Sequence, residues 1–444
     1  MTERKSTKLV SAALALGILA ACSPVGGPLL NPQANPALLQ SQSAARGSKI
    51  FNTDARPQMA PNQVIVKVKP GDPNLFVQSL ARSGARVVDF FDIDTRVFLV
   101  ESASRNTDDL IRQFSQDRNV EIAQPNYLVS LNQIPAAPRQ QGRPNMAAPN
   151  DPLYAQQWHL PHVGALDAWG QGGQGNKDLI VAVVDTGVDY NHPDLKANTI
   201  KGKDFTKESP DGLDPIDSFG HGTHVAGIIA AVANNGEGVA GAAPNVKILA
   251  VKVLSAKGGG SLFAIAGGIK HSVDMGAKIV NLSLGGPAVT DLISSAVGYW
   301  ATKKGALLIA AAGNSNTAVG TPARIDDYYM AVAASDQANK RAKFSCYGKE
   351  LSVSAPGVQI MATTPTYKVP LNDHGYPQNY AFLQGTSMAT PLVAGVAALV
   401  WSRHPEWTAK QVRQHLEKTA VDVGAPGKDN ESGFGVVNAA AALR

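Results

Sequence analysis

The stretch Leu179-Ile180-Val181-Ala182-Val183-Val184-Asp185-Thr186-Gly187 decides the architecture of this chain. An unbroken apolar run, largely β-branched, leads straight into an acid, a threonine and a glycine. A strand with no polar alternation is buried on both faces, as in a parallel sheet covered by helices on each side. Lys247 to Leu254, Lys278 to Leu284, Ala306 to Ala311 and Tyr329 to Ala333 are continuous enough to be read the same way. Helical stretches fall between them at about Gly222 to Ala233, Ser261 to Met275 and Asp291 to Lys303. This alternation predicts an α/β fold with an open, mostly parallel, doubly wound sheet. Reactive groups in such sheets gather at the carboxyl ends of the strands. Asp185 directly follows one strand, and Asn314 follows another.

Two more segments belong with Asp185: His221-Gly222-Thr223-His224 and Gly385-Thr386-Ser387-Met388-Ala389. A nucleophilic serine needs a base to take its proton, and the base needs a carboxylate to hold its tautomer. The residues occur in the order Asp, His, Ser, one of the three orders in which this constellation is found. The chain therefore reads as a serine peptidase. His221 opens a helix of small residues, and His224, three residues on, is expected to pack or hydrogen-bond locally. Ser387 leads into the apolar helix Leu392 to Val400, where a serine is expected to cap the helix with its hydroxyl exposed. The glycines of Gly172-Gly173-Gln174-Gly175 precede a strand, and a dinucleotide site needs them after one, so they are read as a loop.

The chain has 444 residues, 44% of them hydrophobic and 17% charged, ordinary values for a globular protein. That length calls for a large domain plus a smaller one. The net charge of +5 is slight, and no basic run is interleaved with aromatics, so nucleic acid is not an expected partner. Arg4, Lys5 and Lys8 precede an apolar stretch, Leu9 to Ala21, too short to span a bilayer as a helix. It closes on Leu19-Ala20-Ala21-Cys22, which resembles a bacterial lipobox with Cys22 as the lipid-bearing residue. Cys346 is the only other cysteine, so no disulfide framework is expected. The chain is expected to be exported, anchored as a precursor by lipid at Cys22, and extracellular or periplasmic when mature.

The organisation predicted is a signal peptide over 1–22, a tether over 23–56, a small domain over 57–133, a cleavable linker over 134–149 and the large domain over 150–444. Residues 23–56 are rich in Pro, Asn, Gln, Ala and Ser, which bury too little apolar surface to offset ordering. In the small domain, strands are read at Gln63 to Val68, Arg86 to Phe91, Arg96 to Val100 and Val120 to Ala123. Helices are read at about Asp72 to Ser83 and from a Thr107 cap to Phe114. The βαββαβ order fits a ferredoxin-like α+β plait. Residues 134–149 carry Pro, Gln, Arg and Asn, the composition at which proteolytic nicking concentrates.

The three segments and their order make residues from about 150 to 444 resemble the peptidase domain of the subtilisin family, most of all its thermitase-like members. The ending Glu121-Ile122-Ala123-Gln124-Pro125-Asn126-Tyr127 is similar to the close of the propeptides that precede such enzymes. The resemblance implies Asp185 as orienting carboxylate, His221 as base, Ser387 as nucleophile, and the Asn314 amide with the Ser387 N–H as oxyanion donors. It implies a substrate groove edged by Gly258, Gly259 and Gly260 and by Ser283, Leu284 and Gly285. Ala312, Gly313 and Gly320 would wall a pocket for a large apolar side chain.

It also implies a structural Ca²⁺ held by Asp151, Asp194, the Asn235 side chain and the carbonyls of Val232, Glu237 and Val239. Asp211, Asp214 and Asp217 are left open as holders of a second ion. No organic cofactor is expected. The expected partners are protein or peptide substrates and the chain's own propeptide, acting as inhibitor and folding aid on a monomeric enzyme. Leu392 stands where the family often has histidine, which is expected to alter helix packing and not chemistry. The alternative is a peptide-binding protein on the same scaffold that no longer cuts.

Overall fold

Seven parallel strands build the predicted sheet. They are β5 (Ile180–Asp185), β6 (Thr199–Asp204), β7 (Lys247–Lys252), β9 (Ile279–Leu282), β10 (Leu307–Ala311), β11 (Tyr329–Ser335) and β12 (Leu351–Pro356), in the order β12-β11-β10-β9-β5-β7-β6. All six pairings are parallel. The computed structural model describes residues 57–70, 76, 80, 84–91, 96–131, 148–286 and 292–444. The signal and tether calls, most of the helix at 72–83 and nearly all of the linker lie outside them. Three strands carry no continuous apolar run: β6 is an edge strand with exposed Lys201, Asn281 interrupts β9, and serines interrupt β12, although the last two strands are wholly buried.

Helices α2 (His221–Ala230) and α3 (Leu262–Asp274) cover opposite faces of the sheet. A side chain on Gly268 of α3 would stand 3.1 Å from the Val184 side chain, and one on Gly222 of α2 would stand 3.2 Å from Asp185 Cβ. Neighbours along a strand point to opposite faces. Helix α4 (Leu292–Lys303) packs beside α3, and α5 (Thr386–Arg403) packs beside α2. Helix α5 is buried continuously from Thr386 to Trp401, so it has no solvent face and no amphipathic stripe. It begins six residues before the predicted Leu392, and its N-cap is Gly385, not Ser387. Ser387 therefore occupies the second helical position and caps nothing.

The N-terminal residues form an antiparallel sheet from β1 (Met59–Val68), β2 (Ala85–Phe91), β3 (Val97–Ser102) and β4 (Val120–Ser130), in the order β2-β3-β1-β4. Helix α1 (Thr107–Ser115) lies against β1 and β4. Val64, Val66, Val100, Leu110 and Phe114 form a core of its own. The cap of α1 is Asn106, whose Oδ1 accepts the Asp109 N–H at 2.8 Å; Thr107, assigned the cap from sequence, is the first helical residue. Strand β4 runs seven residues past the predicted Ala123 because its second half pairs with a different partner, β8 (Gly259–Ser261) of the large domain.

Candidate functional site

Asp185 ends β5 and His221 begins α2, so both sit at the carboxyl edge of the sheet. The helix start approaches so closely that a Cβ on Gly222 would lie 2.0 Å from the Gly187 carbonyl oxygen. His221 Nδ1 is 2.8 Å from Asp185 Oδ1, with the two side chains 1% and 0% exposed. Asp185 Oδ1 also accepts the Thr186 N–H at 2.7 Å.

A second layer behind this pair was not read from the sequence. The fully buried Asp217 accepts from Thr186 Oγ1 at 2.8 Å, Thr223 Oγ1 at 2.6 Å and the N–H groups of Phe219, Gly220 and Thr223. Burial pushes its carboxyl upward against the pull of those donors. Thr186 Oγ1 in turn accepts the Gly222 N–H at 2.9 Å, tying the end of β5 to the start of α2. Buried Lys252 donates to the Thr186 carbonyl at 2.9 Å. Asp217 thus serves the helix start, a role signalled in the sequence by its place four residues before His221. Asp211 and Asp214 accept separate loop N–H groups, and among the described residues they form no cluster of three with Asp217.

Ser387 and Ser283 are joined twice. Ser387 Oγ donates to the Ser283 carbonyl at 3.0 Å, and Ser283 Oγ donates to the Ser387 carbonyl at 2.8 Å. The second bond has a covalent cause: Pro391, four residues on, has no N–H to give that carbonyl. Asn314 Oδ1 accepts the N–H and hydroxyl of Thr386 at 2.9 and 2.8 Å, which orients its amide. A Cβ on Gly385 would lie 3.0 Å from Asn314 Nδ2 and 3.6 Å from Ser387 N. Two N–H donors thus flank a space kept open by the missing side chain.

The predicted groove edges are brought together around β4. On one side Leu128, Val129 and Ser130 pair antiparallel with Ser261, Gly260 and Gly259, and the Leu131 N–H donates to the Gly258 carbonyl at 2.9 Å. On the other side Ser130 bridges Gly285, next to Leu284 and Ser283. Ala312, Gly313 and Gly320 are contiguous with this edge. Gly320 N donates to the Ala312 carbonyl, Gly286 N to the Thr321 carbonyl, and Gly313 N to Thr386 Oγ1. Buried Cys346 lies behind Gly313, 3.0 Å from where its Cβ would be.

Asp151 and Asp194 meet at the 232–239 loop. Asp151 accepts the N–H groups of Asn234 and Asn235 at 2.9 and 3.2 Å, and Asp194 accepts Asn235 Nδ2 at 2.8 Å and Val239 N at 2.9 Å. Val232 donates its N–H to the Asp194 carbonyl, and exposed Glu237 follows in the same loop. Burial, and then the charge of Asp194, push the Asp151 carboxyl upward. Two buried carboxylates thus lie against one loop, and carboxylate oxygens are ligands that suit a hard cation. The Asn235 amide would have to turn over to offer its oxygen. Among the described residues no group of three or more His, Cys, Asp or Glu side chains is placed to hold a metal.

His224 is packed and fully buried, and its hydrogen bonds are long-range. Its Nε2 reaches the Ile360 and Ala381 carbonyls, both at 3.1 Å, and burial holds its pKa down at about 3. Cys22 lies outside the described residues, among which no helix is long and apolar enough to cross a membrane.

A model of the subtilase family matches residues 176–435. The chain is 43% identical over 285 residues to thermitase of Thermoactinomyces vulgaris, covering 63% of this chain and 94% of that one. It is 44% identical over 288 residues to subtilisin Savinase of Lederbergia lenta, covering 65% and 98%. Among solved structures, fervidolysin from Fervidobacterium pennivorans, described as a keratinolytic enzyme related to subtilisin, superposes with a TM-score of 0.75 at 27% identity. That match covers 89% of this chain and 63% of fervidolysin.

Proposed function

The chain belongs to the subtilase family and is a serine endopeptidase of subtilisin type, and from that premise we propose that Asp185, His221 and Ser387 cut peptide bonds through an acyl-enzyme. The carrying observation is the buried 2.8 Å contact between His221 Nδ1 and Asp185 Oδ1. With its proton on Nδ1 facing the carboxylate, the imidazole offers Nε2 as the base. In this reading Nε2 takes the Ser387 hydroxyl proton as the serine attacks. Attack on a substrate carbonyl places the developing oxyanion between Asn314 Nδ2 and Ser387 N.

Substrate binds as an extended strand between Gly258–Gly260 and Ser283–Gly285, as β4 does here. The N-terminal domain is the inhibitor and folding aid of a self-processing precursor, and the enzyme works as a monomer. Asp151, Asp194, Asn235 and the carbonyls of Val232, Glu237 and Val239 hold a structural Ca²⁺, which stabilises the folded loop when bound. Export and lipid attachment at Cys22 place the precursor in the cell envelope, and cleavage after the small domain releases the peptidase.

A fluorophosphonate probe tests the nucleophile directly. The wild type is expected to be labelled on Ser387 and to hydrolyse casein, while Ser387→Ala and His221→Ala show neither. Labelling at another serine, or hydrolysis retained by Ser387→Ala, overturns the assignment.

A further inference from the structure

Strands β13 (Ile360–Thr363) and β14 (Tyr380–Leu383) pair antiparallel with Thr363 opposite Tyr380, so residues 364–379 close a hairpin. A hairpin turns in about two to five residues, and a much longer connection in a compact domain usually serves a site. This loop is well tied. Asn372 Oδ1 accepts the Val369 N–H at 2.7 Å, Asn372 Nδ2 donates to the Tyr376 carbonyl at 2.9 Å, and Thr364 Oγ1 donates to the Pro377 carbonyl at 2.9 Å. Its inner face lies on the turn that leads into His221. Thr366 gives its N–H and hydroxyl to Asp189 Oδ2 at 3.0 and 2.8 Å. Tyr367 Oη donates to the Asp217 carbonyl at 2.8 Å, and the Leu371 N–H donates to the Phe219 carbonyl at 3.1 Å.

We infer that this loop is a positioning device for the reaction, in which Tyr367 and Leu371 hold the 217–220 turn so that His221 keeps its aim, a role that rests on His221 being the base. The need for it lies at Gly220. This glycine is the N-cap of α2, has φ +115, and offers no side chain to cap the helix. A glycine there leaves the entry to the helix free to swing. His221 is the next residue, so a swing of the turn carries the imidazole with it.

The turn is gripped from two sides. From within, the Asp217 carboxylate accepts the N–H groups of Phe219 and Gly220. From outside, the loop takes up the Asp217 and Phe219 carbonyls, so neither peptide can rotate without losing a bond. A Cβ on Gly220 would lie 3.0 Å from Leu371 Cβ and Cδ2 and 3.1 Å from Val369 Cγ2, and both of those side chains are buried. Asp189 adds a second tie to α2, because its N–H donates to Thr223 Oγ1 at 2.9 Å. Burial, and then the charge of Asp217, push the Tyr367 hydroxyl upward, so it keeps the proton it donates.

Tyr367→Phe and Leu371→Ala, alone and together, are compared with wild type as matured enzyme on a chromogenic peptide. The double variant is expected to lose about 10- to 100-fold in kcat with KM held, the scale of a misaimed catalytic group. Tyr367→Phe, which removes one oxygen and keeps the ring, should lose about 3-fold or more and covers the case in which Leu371→Ala does not fold. Leu371→Met refills the volume over Gly220 and should recover most of its share of the loss. In the full Ser387→Ala chain, the downfield NMR signal of the proton between His221 Nδ1 and Asp185 Oδ1, identified by its loss in His221→Ala, should shift or broaden in the same variants. A lowered Tm with kcat unchanged, a rise in KM alone, or a fall in kcat with that signal unmoved overturns the inference and leaves the peptidase reading intact. No hydrolysis and no labelling of Ser387 in wild type would overturn the peptidase reading itself.

Discussion

Ser283 Oγ donates to the Ser387 carbonyl at 2.8 Å, supplying the hydrogen bond that Pro391 cannot make. A proline inside a helix normally leaves the carbonyl four residues back without a partner. Here that carbonyl belongs to the candidate nucleophile, so the repair also holds Ser387 against Ser283.

In an inactive Ser387→Ala background, which keeps the same carbonyl, Ser283→Ala is expected to lower stability by about 1–3 kcal/mol, the cost of an orphaned buried acceptor. Adding Pro391→Ala restores an N–H and should shrink that loss by at least about 0.5 kcal/mol. Urea unfolding of the four variants measures the coupling. Equal losses in both backgrounds would show that the bond does not compensate for the proline.

Asn314→Ala removes one of the two donors beside Gly385. The expected loss is about 10²–10³-fold in kcat with KM little changed, the range known for the corresponding donor of a subtilisin. Steady-state hydrolysis of a chromogenic peptide by matured enzyme checks it. A change confined to KM would assign Asn314 to substrate binding instead.

Thr186→Val keeps the shape of the side chain and removes the hydroxyl that links Asp217 to Gly222 N. Misplacing His221 relative to Asp185 is expected to cut kcat by about 10- to 100-fold while KM holds. An unchanged kcat would mean that the rest of the Asp217 network positions the helix unaided.

His159 and His224 are fully buried, and burial holds both pKa values down at about 3. An unfolded histidine titrates near 6.5. The stability these neutral rings carry is complete above about pH 6.5 and is lost progressively as pH falls toward about 3, because the unfolded chain then binds more protons. Each ring contributes a slope of about 1.4 kcal/mol per pH unit in that window. In Ser387→Ala protein, His159→Leu should flatten the dependence of unfolding free energy on pH by about one proton. A slope identical to that of the parent would contradict the assignment.

Chelation of divalent cations is expected to lower the Tm of wild type by several degrees, since an ion at about 100 times its Kd contributes about 2.7 kcal/mol. Asp151→Asn/Asp194→Asn protein should have a lower Tm already and show no response to added Ca²⁺. Calorimetry with and without Ca²⁺ separates the two. A calcium response retained by the double variant would move the ion elsewhere.

The sequence by itself determined the parallel sheet and the places of Asp185 and His221 at its edge. These are local signals: unbroken apolar runs specify strands buried on both faces, and reactive side chains must follow them closely. Tertiary structure alone decided three things. The tail of β4 pairs with β8 and bridges Gly285, because edge pairing uses backbone N–H and C=O groups that have no side-chain signature. Asp217 serves the start of α2, because its five donors converge from both sides of it in the chain. Ser387 sits inside α5, not at its cap, because Gly385 takes the cap and Ser283, 104 residues away, supplies the bond that makes Pro391 tolerable there.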